Sequence, residues 1–315
     1  MSAKYHKICL GGKSKPKKTP ETVKSISVRR QTASADGTFE EHDSTVADIL
    51  FGPKEKMTTF EPEVVIVEGD DRDDDRIRVL NTLDKPFRYI CALDLYFPNY
   101  NQGYPLAGSG ALIGPNVVLT CAHNLHAHNL KKTVNRVTVA PAQASLNSKP
   151  FGDIEVVKAF LPEEFMASSE SDVNYDYAAL ILAEPIGEKT GYFGIVDTIL
   201  SDLENHKIHL TGYPALPNVE FETGKGMMHD AALFKGLDDG VLKHGTDSSG
   251  GNSGSPLYIY EHNSPNVKPL VVGVHSGGPI GGQYNHGACL MGSVYDHFNE
   301  WIEEGRKYLE SQSSA

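Results

Sequence analysis

Three short stretches of this 315-residue chain carry side chains that could together move a proton and form a covalent bond. GGNSGSPL (250–257) sets Ser253 between glycines and stops any helix at Pro256. Glycine accepts positive φ and lets another molecule approach the main chain closely. Two amide N–H groups can then turn toward one point beside the Ser253 oxygen. VVLTCAH (117–123) reads as a strand ending on His123, and NYDYAALIL (174–182) puts Asp176 at the mouth of a buried strand. A neutral alcohol is a poor nucleophile. A neighbouring imidazole takes its proton, and a buried carboxylate fixes the imidazole's tautomer and stabilises its cation. Ordered His, Asp, Ser, the chain holds every residue type that acyl transfer needs. Each stretch alone also has a plainer reading, and for the Gly/Ser/Asn run that is a polar turn between strands.

Competing assignments are visible in the same residues. Asp172 could replace Asp176, but Asp176 directly precedes the apolar run. HNLHAH (123–128) offers His123, His126 and His128 to a metal, yet no adjacent Cys or carboxylate completes a ligand set. No metal and no cofactor are therefore expected, and His126 and His128 read as exposed loop residues. A G-x-S-x-G elbow on a strand–turn–helix is excluded, because Ser255 occupies the second glycine position and PLYIY continues as strand.

The elements that must position these groups are short. From residue 88 onward RYICALDLYF, GSGALIG, NVVLTCAH, RVTVAPA, YAALILAEP, KIHLTGYP, SPLYIY and PLVVGVHS alternate or run apolar between Gly, Pro, Asn and Asp. That texture predicts an all-β barrel or sandwich, and the length suits two barrels side by side. SVYDHFNEWIEEGRKYL (293–309) instead has helical periodicity, with Val294, Phe298, Trp301, Ile302, Tyr308 and Leu309 on one face. Residues 1–62 show neither period and read as disordered or loosely attached, and DDRDDDR (70–76) reads as a solvated loop.

Charge and cysteines narrow the function classes. Residues 1–32 hold nine Lys or Arg against Glu21, a net +8; the whole chain carries −12, which leaves −20 on the remainder. So acidic a body argues against a nucleic-acid-binding surface there. No apolar run is long enough to span a membrane, and no secretory signal precedes the body, so a cytoplasmic or non-classically exported protein is expected. Cys9, Cys91, Cys121 and Cys289 suit neither a zinc ribbon nor a dense disulfide frame; they read as free thiols, with a Cys91–Cys121 bridge as the alternative.

Taken in order, VVLTCAHNL, DYAALIL, HLTGYP, SSGGNSGSP, VVGVHSGG and the terminal helix resemble the chymotrypsin-fold serine peptidases, and within them the staphylococcal V8-type glutamyl endopeptidases. The resemblance covers about residues 64–305. It implies two antiparallel six-stranded β-barrels with a C-terminal helix, spanning 64–310, acting as a monomer on protein or peptide substrates. It further implies His123 as general base, Asp176 as its orienter, Ser253 as nucleophile, and the Gly251 and Ser253 amides as the oxyanion hole. His275 would line the primary pocket and bind a substrate glutamate, with aspartate second. Ser248 would add a hydroxyl donor, Ser276 would brace Asp176, and Gly277 and Gly278 would keep the pocket wall open. Residues 1–63 would be a basic pro-segment released at Glu63–Val64, with Val65 the competing start. Departures from the family pattern are the long leader and Cys121, where Ala or Ser is usual. A non-catalytic binding module on the same barrels, or a peptidase of other preference, stays open at this point.

Overall fold

The computed structural model describes residues 5–10, 74–169, 172–204, 206–214, 224–260, 269–278 and 284–313. Two sheets close on themselves. In the first, Ile154–Pro162, Ala178–Leu182, Val117–Thr120, Leu106–Leu112, Ile90–Tyr96 and Arg136–Pro141 pair antiparallel in that order, and the last returns to the first. In the second, Pro269–Gly277, Pro256–Tyr260, Lys207–Gly212, Met228–Asp238, Val241–His244 and Asn285–Cys289 do the same. The expected pair of six-stranded barrels is present. Closure pairs the backbone groups that an open sheet would leave on its edges. The apolar runs become buried core, Val117, Val118, Leu119, Leu180 and Ile181 in the first barrel's cluster and Ile208, Leu210, Leu257 and Val272 in the second's; because strand side chains alternate, one face fills the barrel and the other, with Val117, meets the terminal helix.

The beginning of the chain departs from expectation. Tyr5–Cys9 is a strand, added to the first barrel against Ile154–Pro162. Tyr5 presents its ring edge to Phe160 at 5.2 Å and to Trp301 at 6.0 Å between centroids. Nothing in a Lys- and Ser-rich leader marks five residues as a strand; barrel closure pairs only Ile154 and Glu155 with Arg136–Pro141, and Lys158–Pro162 of the same strand keep a free edge that Tyr5–Cys9 takes. The remainder of 1–63, including the Glu63–Val64 bond and the acidic run before Asp74, lies outside the described residues. Arg76, at the end of that run, is buried rather than solvated, bonded to Asp74 and to the Ser249 hydroxyl.

The helix Ser293–Ser313 lies across Val117–Thr120 and Ala178–Leu182 of the first barrel. Phe298 and Trp301 are fully buried, as the periodicity predicts, while Val294, Ile302 and Tyr308 pack from its flanks. Trp301 stacks on Phe160 at 6.1 Å. Gly305 sets how close the helix comes. A Cβ there would stand 2.5 Å from Val117 Cγ2 and 2.7 Å from Asn116 Oδ1, and Asn116 Nδ2 donates to the Gly305 carbonyl at 3.1 Å. Gly305→Ala would ordinarily help a helix by about 1 kcal/mol. Here the overpacking term, about 1–3 kcal/mol, wins. We expect this variant to melt a few degrees below wild type by calorimetry; a higher melting temperature would show that the helix does not seat on Asn116.

Candidate active site

His123 and Asp176 meet because their strands are partners. Ala178 pairs with Thr120 across the antiparallel strands Ala178–Leu182 and Val117–Thr120. His123 comes three residues after one partner and Asp176 two before the other, so both sit at one end of the same strand pair. Each is carried by a short 3-10 turn, Ala122–Asn124 and Val173–Tyr175, that lifts it off the strand. Asp176 Oδ2 lies 2.7 Å from His123 Nδ1, and Oδ1 accepts from the His123 amide at 2.8 Å. Asp172, the competing acid, is exposed and caps the second turn by accepting from the Asn174 amide.

Burial opposes charge on both partners, yet the pair overcomes it. Desolvation lowers the His123 pKa, but the Asp176 charge and hydrogen bond outweigh it and leave the ring well above its ordinary 6.5. Desolvation likewise raises Asp176, and the His123 ring and amide more than reverse that, leaving the carboxyl below its ordinary 3.8. The His123 side chain is 28% exposed, and its outer nitrogen Nε2 lies 3.6 Å from Cys121 Sγ. The Ser276 hydroxyl adjoins the Asp176 carboxylate but falls outside normal hydrogen-bond geometry, so bracing is only half realised.

Ser253 belongs to the second barrel, on the loop between Val241–His244 and Pro256–Tyr260. It is fastened to the first. The Ser253 carbonyl accepts from the Ser109 amide and from Asn124 Nδ2, both at 2.9 Å, and Asn124 follows His123 in the chain. The Ser109 hydroxyl donates to the Gly251 carbonyl at 2.7 Å and accepts from the Tyr213 amide at 2.8 Å. Asn124 Nδ2 also reaches Thr120 Oγ1, whose hydroxyl donates to the Ser109 carbonyl. The motif reading missed Ser109, Thr120 and Asn124. Only GSGALIG and TCAHN mark where they would be sought.

The glycines do what their placement in the sequence suggested. Gly251 and Gly254 take φ of 94° and 85°. At Gly254 a Cβ would lie 2.2 Å from Thr120 Oγ1 and 2.4 Å from the Ser109 carbonyl, so no side chain fits there. Asn252 is buried, and its Oδ1 accepts from the Ser249 amide. Among the described residues, the amides of Gly251 and Ser253 donate to no protein acceptor.

Behind this loop lies a row of histidines. The Gly254 amide donates to the His275 carbonyl and the His275 amide to the Ser255 carbonyl, which binds the strand Pro269–Gly277 to the serine loop. His275, 2% exposed, has Nδ1 3.2 Å from His244 Nε2, and His244 Nδ1 lies 2.7 Å from Thr246 Oγ1. Asn285 closes the row by donating to the Thr246 carbonyl. Desolvation, reinforced by the neighbouring histidines, lowers the His275 pKa well below 6.5; desolvation first and then His286 take His244 to about 3. Both rings are thus neutral at pH 7. Ser248 is buried on the adjoining segment, while Gly277 and Gly278 are half-buried beside His286. Periodicity gave no signal for His244, which stands in an ordinary strand.

His126 and His128 are half-buried, contrary to their reading as exposed. His126 Nδ1 bonds Thr133 Oγ1 at 2.8 Å, and the His128 ring lies 4.7 Å from that of Phe165. Cys91, Cys121 and Cys289 are free and buried, so the Cys91–Cys121 bridge does not form.

Comparison with known proteins follows this geometry. A family model described as Trypsin matches residues 99–302. A Bacillus licheniformis protein named glutamyl endopeptidase is 30% identical over 230 residues, 72% of this chain and 67% of its own length. A Bacillus subtilis protein named extracellular metalloprotease is 25% identical over 309 residues, 94% of this chain and 92% of its own. Among solved structures, a Glu endopeptidase superposes with a TM-score of 0.61 at 23% identity, covering 73% of this chain and 98% of its own. The protease Anisep of Arthrobacter nicotinovorans gives 0.55 at 15% identity, covering 71% and 98%.

The His123–Asp176 pair has a measurable signature. By NMR on the Ser253→Ala protein, we expect the His123 ring to protonate with a midpoint above pH 6.5. In the further variant Asp176→Asn, desolvation acts without its counter-charge and the midpoint falls below 6.5. An unmoved midpoint would remove the coupling from the site.

Proposed function

This chain belongs to the trypsin family of serine endopeptidases, and from that premise we propose that it cleaves peptide bonds after glutamate, and after aspartate second, using Ser253, His123 and Asp176. The observation that carries the catalytic part is the doubly bonded His123–Asp176 pair, set one residue from the side chain that grips Ser253. Ser253 Oγ attacks the scissile carbonyl carbon while its proton passes to His123 Nε2. The carbonyl oxygen becomes an oxyanion facing the Gly251 and Ser253 amides. Each such donor typically stabilises the transition state by ~2.7–4 kcal/mol. The C–N bond then breaks, His123 returns the proton to the leaving amine, and an acyl-enzyme remains. Water, activated by the same imidazole, releases the new carboxylate and restores Ser253. The chain's own residues supply every group in this cycle.

Preference for glutamate is supported by the histidine row. The row's distances admit the tautomer in which Thr246 donates to His244 Nδ1 and His244 Nε2–H to His275 Nδ1, and the glutamate preference requires it, because it leaves the His275 proton on Nε2. A neutral donor in a dry pocket can receive a carboxylate without first holding a buried charge. The buried Ser248 adds a second hydroxyl to the same wall. Neither neutral His275 nor Ser248 would repel an amide outright, so discrimination rests on the excess of a charge-assisted bond over a neutral one, about 1–1.5 kcal/mol.

The leader enters this reading as a segment cut after Glu63. Because Tyr5–Cys9 is a barrel strand, the cut would leave the start of the leader in place on the first barrel.

A fluorophosphonate probe should label wild type and fail on Ser253→Ala, with peptide turnover falling about 10⁶-fold; absence of labelling in wild type would favour a binding module. Peptides differing only as Glu, Gln, Lys or Phe before the cut should rank Glu first, ahead of Gln by roughly fivefold to tenfold. His275→Ala should abolish that ranking while probe labelling survives. Equal or better cleavage after Lys would refute the specificity. For the leader, N-terminal sequencing of active protein should read Val64 beside a leader fragment that leaves only on denaturation. Full activity with Met1 still joined to the barrel would end the cleavage proposal.

A further inference from the structure

Cys121 precedes His123 by two residues, is fully buried, and holds its Sγ 3.6 Å from His123 Nε2. That nitrogen has to take the Ser253 proton. The ligand atoms of Cys121, His123 and Asp176 all lie within 4.8 Å of one another. Asp176, however, already spends one oxygen on the His123 ring and the other on its amide. Two donors, a thiol and an imidazole, are left to converge.

We infer that Cys121 Sγ and His123 Nε2 form a chelating pair for a soft divalent cation such as Zn²⁺ or Cd²⁺, whose binding reversibly shuts the active site. A tetrahedral zinc with S at about 2.3 Å and N at about 2.0–2.1 Å places those two atoms about 3.5 Å apart. The observed 3.6 Å, now spanned by a thiol–imidazole hydrogen bond, is close to that edge, so the two donors need only reorient about it. Thiolate and imidazole are the ligands that soft and borderline cations prefer over calcium or magnesium. Asp176 on Nδ1 is the outer-shell carboxylate that orients a ligating histidine and raises its basicity. The His123 side chain is 28% exposed, so the imidazole half of the pair is open to solvent although Cys121 is buried. On binding, the Cys121 thiol proton and the Nε2 proton of the His123 imidazolium leave to solvent, Sγ–metal and Nε2–metal bonds form, and two of the cation's waters are released. Nε2 then has no lone pair for Ser253. With two protein donors the cation stays exchangeable: a brake, distinct from a resident cofactor and absent from the catalytic cycle above.

The inhibitory half of this inference rests on His123 being the base; the binding half does not, and the test separates them. Full-length Ser253→Ala protein titrated with Cd²⁺ should develop an ultraviolet thiolate-to-metal charge-transfer band, and the band should vanish in Ser253→Ala/Cys121→Ala. His126 and His128, rings 4.8 Å apart, form the other histidine pair near this loop and cannot give such a band. In wild type, micromolar Zn²⁺ or Cd²⁺ should slow probe labelling at least tenfold, EDTA should restore it, and Ca²⁺ or Mg²⁺ should have no effect. Cys121→Ala, and Cys121→Ser should the first fold poorly, should need at least tenfold more Zn²⁺ for half-inhibition, each measured against its own metal-free rate. No band, or equal inhibition in the cysteine variants, overturns the site. Failure of metal-free wild type to label would defeat the peptidase reading, and the cadmium band would then decide the metal site alone.

Discussion

The hydrogen bonds that join the serine loop of one barrel to strands of the other are the constraint on which this site depends. Ser109 and Asn124 hold the Ser253 carbonyl from two sides, and Ser109 reaches Gly251 as well. Each is a modest bond, worth about 0.5–1.5 kcal/mol net. Their importance is geometric. A nucleophile on one folded unit and a base on another react only when placed within a few tenths of an ångström, and mispositioning by about 1 Å can cost a hundredfold in rate. Gly254 follows from the same constraint, because the clamp leaves no room there for a Cβ.

Electrostatics divides the site into two histidine environments. His123 is buried beside a carboxylate and held toward the charged form; His275 and His244 are buried beside each other and held neutral. The difference is the neighbour, since desolvation acts on all three in one direction. One imidazole is therefore suited to storing a proton in mid-reaction, the others to donating hydrogen bonds without carrying charge. Cys121, a member of the apolar core, adds a soft sulfur to the first environment.

The first barrel also bears two chain segments that lie outside its six-stranded pattern. The C-terminal helix covers one part of it, and the strand Tyr5–Cys9 extends its sheet, with Tyr5, Phe160 and Trp301 linking all three. His123 and Asp176 stand on that barrel, so these segments pack on the half that carries the pair.

The sequence by itself determined the strands, the terminal helix, and the candidates His123, Asp176 and Ser253. Apolar periodicity, turn residues and the flanking glycines are local signals that survive in one dimension. It also placed His275 beside the serine loop, through its resemblance to a known family. Only the tertiary structure decided between Asp172 and Asp176, because both precede the same strand and the choice turns on which is buried at the register of Thr120. It alone recruited Ser109, Asn124, Thr120, His244 and the strand at Tyr5–Cys9. It also buried Arg76 and half-buried His126 and His128. Such residues act through partners far away in the chain, as Arg76 does through Ser249. What pairs distant residues is barrel closure and strand register, which no short window of sequence contains.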